Sequence, residues 1–383
     1  MSNIYEQPPQ SLPPFKLERY FSKYEFNARI LLSSSDCEGL SMTELLQMAM
    51  PESLALWQDL RLGYTESPGH PLLRAAVARL YDQVPPNNVL IAAPEEAIFI
   101  AMHTLLKPED HVIVVTPCYQ SLVEIARSIG CRITPWPVTL GLAGWQVDLD
   151  QLERSITPQT RLIVLNFPHN PTGHQITRDE FDAIIRTARV YGCTIFSDEM
   201  YRFLESDTAL RLPAICEVYE KGISLSGLSK SFALAGLRIG WLATQESALI
   251  GRWLTLKDYT TICNSAPSEI LGLIALQNTE RIVQRNLAII RENLALAEQF
   301  FATHRDQFSW APARAGSVAF PQWLGPGSVE QFCNNVLEQQ GVMIVPGSLF
   351  DSPGGHFRIG LGRKNFGEGL ELVEAYLKSN RIV

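Results

Sequence analysis

Apolar positions along the chain follow two different periods. Short, mostly apolar runs occur at 112–115, 162–167, 194–196, 223–225 and 239–243, with a further strand expected over 132–136. Between them, apolar residues recur every three or four positions: over 72–80, from Pro94 onwards, over 122–129 up to Gly130, and from a Thr177 cap to about Val190. The first pattern predicts strands buried on both faces and the second predicts amphipathic helices. Pro94-Glu95-Glu96 reads as a helix start, because proline suits the first turn and carboxylates favour the positive end of the helix dipole. Ile98, Met102, Leu105 and Leu106 then face inwards. Ser41 is expected to cap a short helix carrying Leu45, Leu46 and Met48. Strands alternating with helices predict an α/β fold around a mostly parallel sheet.

Beyond about residue 275 the pattern changes. Val283, Leu287, Ile290, Leu294, Ala297 and Phe301 form the core-facing stripe of one long helix. Strands expected near 318–320, 342–344 and 357–359 mix with helices over 328–339 and 366–378, which predicts a smaller α+β lobe. Residues 1 to about 15 are rich in proline and polar groups and read as an arm. The division expected is 1–45 for the arm and part of a small domain, 46–275 for a large domain, and 276–383 for the linking helix and the C-terminal small domain.

The totals narrow the function. The 383 residues are 46% hydrophobic, enough for a large core. The net charge is −8, with both signs interspersed and no basic stripe, so neither nucleic acid nor an anionic membrane is an expected partner. The seven cysteines are odd in number, scattered, and contain no C-x-x-C, which argues against a disulfide framework or a zinc site. With no signal-peptide pattern at the N-terminus, a cytoplasmic protein is expected. The histidines show no ligand spacing, and no metal is expected.

One stretch stands out chemically. In 225–240, Lys230 sits among small and apolar residues with Arg238 eight positions on. Desolvation and a nearby cation both lower a lysine pKa and make the amine a nucleophile towards carbonyls. Taken alone, the stretch fits equally well a loop lysine with its head in water. Asn170, Asp198 and Lys230 are each about 30 residues apart, the length of one βαβ unit. Each follows a strand, and the carboxyl ends of such strands are where open α/β sheets bind ligands.

Asn170-Pro171-Thr172-Gly173, Asp198 with Tyr201, Ser229-Lys230 with Arg238, and Phe357-Arg358 occur together and in order. In this the chain resembles the class I/II aminotransferases, fold-type I enzymes that use pyridoxal 5′-phosphate (PLP). The resemblance implies that Lys230 holds PLP as an internal aldimine and that Asp198 pairs with the pyridinium nitrogen. It further implies that Tyr201 and Asn170 donate to the phenolic oxygen, that Tyr119 stacks on the ring, and that Arg238 clamps the phosphate. Arg358 would grip the substrate α-carboxylate, with Asn170 beside it. Tyr64 resembles the tyrosine that reaches the phosphate of a neighbouring subunit, which implies a homodimer with shared sites. The activity implied is transfer of an amino group from an L-amino acid to a 2-oxo acid, within amino acid metabolism or biosynthesis.

Two positions depart from the family pattern. Gly227 stands where a phosphate-binding serine often lies, leaving Ser226 or Ser229 to compensate. The phosphate cup reads Ala93-Pro94-Glu95-Glu96 instead of glycine and small residues. Pro94 offers no N–H, and Glu95 repels a phosphate unless its side chain turns away, although the Glu95 and Glu96 N–H groups and the helix dipole remain. A PLP-dependent lyase, decarboxylase or cyclase is the alternative activity, and a non-catalytic effector-sensing domain is a remote one, since 30 N-terminal residues leave no room for a DNA-binding domain. Asp36 and Glu38, in the loop over 31–40, read either as solvated carboxylates or as partners for a cationic substrate side chain such as that of arginine.

Overall fold

The computed structural model describes residues 12–382, so most of the expected arm, 1–11, lies outside the described residues. Seven strands build one sheet: β1 (Val89–Ala92), β2 (His111–Thr116), β3 (Arg132–Pro137), β4 (Thr160–Asn166), β5 (Thr194–Asp198), β6 (Gly222–Gly227) and β7 (Gly240–Thr244). Their order across the sheet is β1-β7-β6-β5-β4-β2-β3. The run from β6 to β3 is parallel, whereas β7 is antiparallel to both β1 and β6. The reversal follows from the connection. A parallel return needs a helical crossover, but 228–239 holds only a loop and a single 3-10 turn, Ala235–Leu237. That loop carries Lys230.

The short apolar runs are explained by cover on both faces. Side chains alternate along a strand. Val112 and Val114 pack with Ile98, Met102 and Leu122, while Ile113 and Val115 pack with Phe181 and Ile184. On the first face lie α1 (Pro94–Leu105) and the helix Ser121–Ile129; on the second lies α2 (Arg178–Tyr191). Thr177 starts α2 with a capping box: its hydroxyl accepts from the Glu180 N–H at 3.2 Å, and Glu180 Oε2 accepts from the Thr177 N–H at 2.7 Å. The edge strand β1 is absent from the sequence reading, because four apolar residues after a 3-10 turn carry no period of their own.

The long helix α3 (Thr279–Thr303) buries Val283, Leu287, Ile290, Ala297 and Phe301. They share a core with Phe308, Phe332 and Phe357. An antiparallel sheet of Val318–Ala319, Phe357–Gly360 and Val345–Pro346 completes this part. Ile30–Leu31 pairs in parallel with Val342–Met343, which ties the N-terminal segment to the C-terminal one. A helix over Lys16–Tyr24 precedes that strand and has no counterpart in the sequence reading. Its Leu17, Tyr20, Phe21 and Tyr24 pack with Phe320, Met343, Val345 and Phe350, and their i, i+3, i+4, i+7 spacing was the available signal.

Candidate active site

A cavity of about 530 Å³ opens beyond the carboxyl ends of β4, β5 and β6, three neighbouring strands of the sheet. Asn170, Asp198, Tyr201 and Lys230 all line it, as do Tyr119, Ser229, Arg238, Glu95 and Arg358. Asn166, at the end of β4, ties two of them together. Its Nδ2 donates to the Asp198 carbonyl at 3.2 Å, and its Oδ1 accepts from the Asn170 N–H at 3.0 Å. This positioning role is missing from the sequence reading, because Asn166 lies inside the apolar run of its strand.

Asp198 is buried, and its Oδ1 accepts a hydrogen bond from the Met200 N–H at 3.1 Å. Burial pushes its pKa up to about 6, opposed by that bond and by the Lys230 charge. A carboxylate so placed gains from a cationic partner. Lys230 Nζ donates to Ser35 Oγ at 2.7 Å. Desolvation lowers the Lys230 pKa, Asp36 opposes the shift, and Arg358 adds to it. The cation that helps depress this amine is therefore Arg358, not the Arg238 expected from sequence proximity.

Arg358 is 1% exposed. Its Nη1 donates to Asn170 Oδ1 at 3.3 Å and its Nη2 to the Ser33 carbonyl at 3.0 Å, while its Nε has no partner. The Tyr201 hydroxyl is also buried without a partner. The loop that brings Ser33 and Ser35 here crosses directly over Gly360: a Cβ at 360 would stand 1.7 Å from the Ser34 carbonyl oxygen. Ser317 Oγ donates to the Ser35 carbonyl at 2.7 Å and fixes the loop.

At the other end of the cavity lies the N-terminus of α1. Glu95 lines this end, and its side chain is tied to Ser121, whose Oγ donates to Glu95 Oε2 at 3.2 Å. Burial pushes its pKa up to about 7. Glu96 points elsewhere, its Oε1 accepting from the Thr260 and Thr261 hydroxyls at 2.5 and 2.8 Å. Tyr119 donates its hydroxyl to Glu18 Oε1 at 2.7 Å. Tyr64 is 92% exposed and does not line the cavity.

Of the two loop carboxylates read as possible substrate contacts, Asp36 reaches the cavity but is already held by Arg363 Nη2, at 2.9 Å to each oxygen. Glu38 does not line the cavity and caps the Lys364 N–H at 3.2 Å. In their place, Glu18 and Glu25 reach the cavity from the unanticipated N-terminal helix and its end.

A desolvated carboxylate, a lysine of lowered pKa and two unpartnered buried donors face one space. At one end of it stand a serine, an arginine and a helix N-terminus. This set fits a phosphorylated aldehyde cofactor with a basic ring nitrogen. The family model for aminotransferases of class I and II matches residues 28–366. The chain belongs to that family. It is a PLP-dependent aminotransferase, transferring an amino group from an amino acid to a 2-oxo acid. The fold of this aminotransferase is similar to a PLP-dependent aminotransferase from Streptococcus suis 89-1591, with a TM-score of 0.90, 31% identity, and coverage of 97% of this chain and 99% of that one. A PLP-dependent cyclase, OrfR, gives a TM-score of 0.89 at 27% identity, covering 98% and 100%. Among curated relatives, capreomycidine synthase of Streptomyces vinaceus is 28% identical over 347 residues, 89% of this chain and 88% of that protein.

Proposed function

We propose that Lys230 is the residue that holds PLP covalently and moves the proton at the substrate α-carbon. Its low-pKa environment supports both tasks, since the amine must attack as a free base and later accept a proton. PLP supplies the electron sink for that proton loss when bound. Asp198 holds the ring nitrogen protonated, and the desolvation that raises its own pKa strengthens the ion pair. Tyr201 and Asn170 donate to the ring oxygen, Tyr119 stacks, and Arg238, Ser229 and the N–H groups of Glu95 and Glu96 take the phosphate. Arg358 grips the α-carboxylate. The observation that carries this reading is the convergence of Asn170, Asp198, Tyr201, Lys230 and Arg358 on one cavity although they are spread over about half of the chain.

The test is borohydride reduction of the holoenzyme followed by peptide mapping. A pyridoxyl adduct on the peptide containing Lys230 is expected, and an adduct elsewhere rejects the assignment. Likeness to capreomycidine synthase and to OrfR supports a second reading, lyase or cyclase chemistry at the same residues. Ammonia and pyruvate released from an amino acid without a 2-oxo acid acceptor would identify elimination.

The assembly we favour is a homodimer in which Tyr64 enters the partner's site. Leu62, Tyr64 and Tyr259, each more than four-fifths exposed, support it. We further assign 46–275 to the large domain, 1–45 to the arm and part of the small domain, and 276–383 to the linking helix and the C-terminal small domain, a division supported by the pairing of Ile30–Leu31 with Val342–Met343. Among the described residues no helix is long and apolar enough to cross a membrane. The seven free cysteines support a reducing, cytoplasmic setting.

A further inference from the structure

The cavity contains more negative charge than the cofactor and an α-carboxylate account for. Its lining includes the carboxylates of Glu18, Glu25, Asp36, Glu95 and Asp198 against the cations Lys230, Arg238 and Arg358. Under the assignment above, Asp198 and the three cations are engaged, Glu95 bonds Ser121, and Asp36 is held by Arg363. Glu18 and Glu25 remain. They are seven positions apart, Glu18 within the helix Lys16–Tyr24 and Glu25 at its C-cap, and both line the cavity. Glu18 accepts one hydrogen bond, from Tyr119.

Glu25 is half-buried. Its pKa is raised by burial first and then by Asp36 and Glu18, with Arg363 and Lys230 offsetting this only in part. A cation between the two glutamates relieves that repulsion. A second, independent feature points to a ligand in the same space: the Nε of Arg358, on a side chain 1% exposed, faces the cavity with no hydrogen-bond partner. One end of the cavity thus asks for a carboxylate and the N-terminal helix asks for a positive charge.

We propose that the substrate carries a cationic group at the end of its side chain, held by Glu25 and Glu18 while its α-carboxylate rests on Arg358. The inference rests on the placement of Arg358 in the reading above. It names a substrate class, amino acids with a guanidinium or ammonium terminus, and it replaces Asp36 and Glu38 as the recognition pair. A partly buried carboxylate such as that of Glu25 binds such cations with charge-assisted hydrogen bonds.

The test uses unreactive analogues, so that it does not depend on turnover. The PLP-loaded enzyme is titrated calorimetrically with 5-guanidinopentanoate, 6-aminohexanoate, hexanoate and glutarate, none of which has an α-amino group. The cationic analogues are expected to bind about tenfold tighter than hexanoate, with glutarate weakest. The guanidinium and ammonium arms tell which terminus is preferred. In Glu25→Gln the ratio of the hexanoate to the guanidino dissociation constant should shrink severalfold, and in the Glu18→Gln/Glu25→Gln double variant the preference should vanish. Equal binding of the cationic and neutral analogues to the wild-type enzyme overturns the proposal, even if amino donors are transaminated. Selective binding supports it even if no transamination is found, so failure here and failure of the aminotransferase reading are separate results. The wild-type series needs no variant to fold.

Discussion

The ring of Pro94 packs against Gly227. A Cβ built on Gly227 would stand 3.2 Å from Pro94 Cγ, and 3.0 Å from both Gly240 Cα and the Ile239 carbonyl oxygen. The two departures from the family pattern at the phosphate end are therefore one packing arrangement: the proline ring that opens α1 lies where a serine side chain at 227 would project. Restoring that serine alone is expected to destabilise the protein by about 1–3 kcal/mol through overpacking, in spite of the phosphate ligand it adds. Thermal unfolding of Gly227→Ser should show the loss, and Gly227→Ser/Pro94→Ala should recover part of it. A Gly227→Ser protein as stable as wild type would show that the close approach is not felt.

Gly360 is the second position where only the smallest residue fits. The loop bearing Ser33 and Ser35 passes so close that a methyl group at 360 would meet the Ser34 carbonyl oxygen at 1.7 Å. Gly360→Ala must therefore displace the contacts of that loop to both Arg358 and Lys230. The expected result is a lower Tm together with a fall in kcat/KM for every amino donor. A change in Tm with kcat/KM intact would separate the loop from the site.

Glu95 makes stability depend on pH. Its carboxyl titrates near 7 in the folded chain, above the ordinary glutamate value. Between those two values the folded state binds more protons than the unfolded one, so stability is greatest at low pH and falls as pH rises through about 7. Asp198 and Glu199 are raised by burial as well and add to the slope. Replacing Glu95 with Gln should remove its share, seen as a smaller drop in the Tm of the cofactor-free protein between pH 5 and pH 8. An unchanged drop would place the Glu95 titration elsewhere.

Arg358 acts as a fork, with two of its nitrogens already bonded and its Nε free. A lysine keeps the charge but not the planar geometry. Arg358→Lys is expected to lower kcat/KM by roughly a hundredfold, mostly through KM, while leaving the cofactor absorbance in place. A loss confined to kcat would argue against a role in holding the substrate carboxylate.

The proposed sharing of the site between subunits has a direct readout. If Tyr64 serves the partner's site, dimers of Lys230→Ala and of Tyr64→Ala are each impaired in every site. A mixed dimer contains one site with both Lys230 and Tyr64 intact, provided Tyr64 comes from the partner. Refolding the two variants together should therefore restore activity above that of either alone. No recovery, with mixed dimers verified by mass, would show that Tyr64 does not act across an interface.

All strands of the main sheet except the edge strand β1 were legible because both of its faces are covered, so those strands read as apolar runs and the helices between them as a period. Asn170, Asp198 and Lys230 were legible for the same reason: each lies within a few residues of the end of such a run, and the topology of a parallel sheet brings those ends together. The N-terminal helix was not, although its apolar spacing was present, since the proline-rich stretch before it masked the start. Asp36 and Glu38 illustrate the limit from the other side. Their charge is plain in the sequence, yet only the fold supplies Arg363 and the Lys364 N–H that occupy them. Local period and order along the chain suffice for six of the seven strands of the sheet, for the lysine and for the carboxylate that faces it. Which carboxylates look into the cavity, which cation depresses Lys230, and why position 227 is glycine were decided only by tertiary structure. Each depends on contacts between segments far apart in the chain, and local pattern carries no record of such distances.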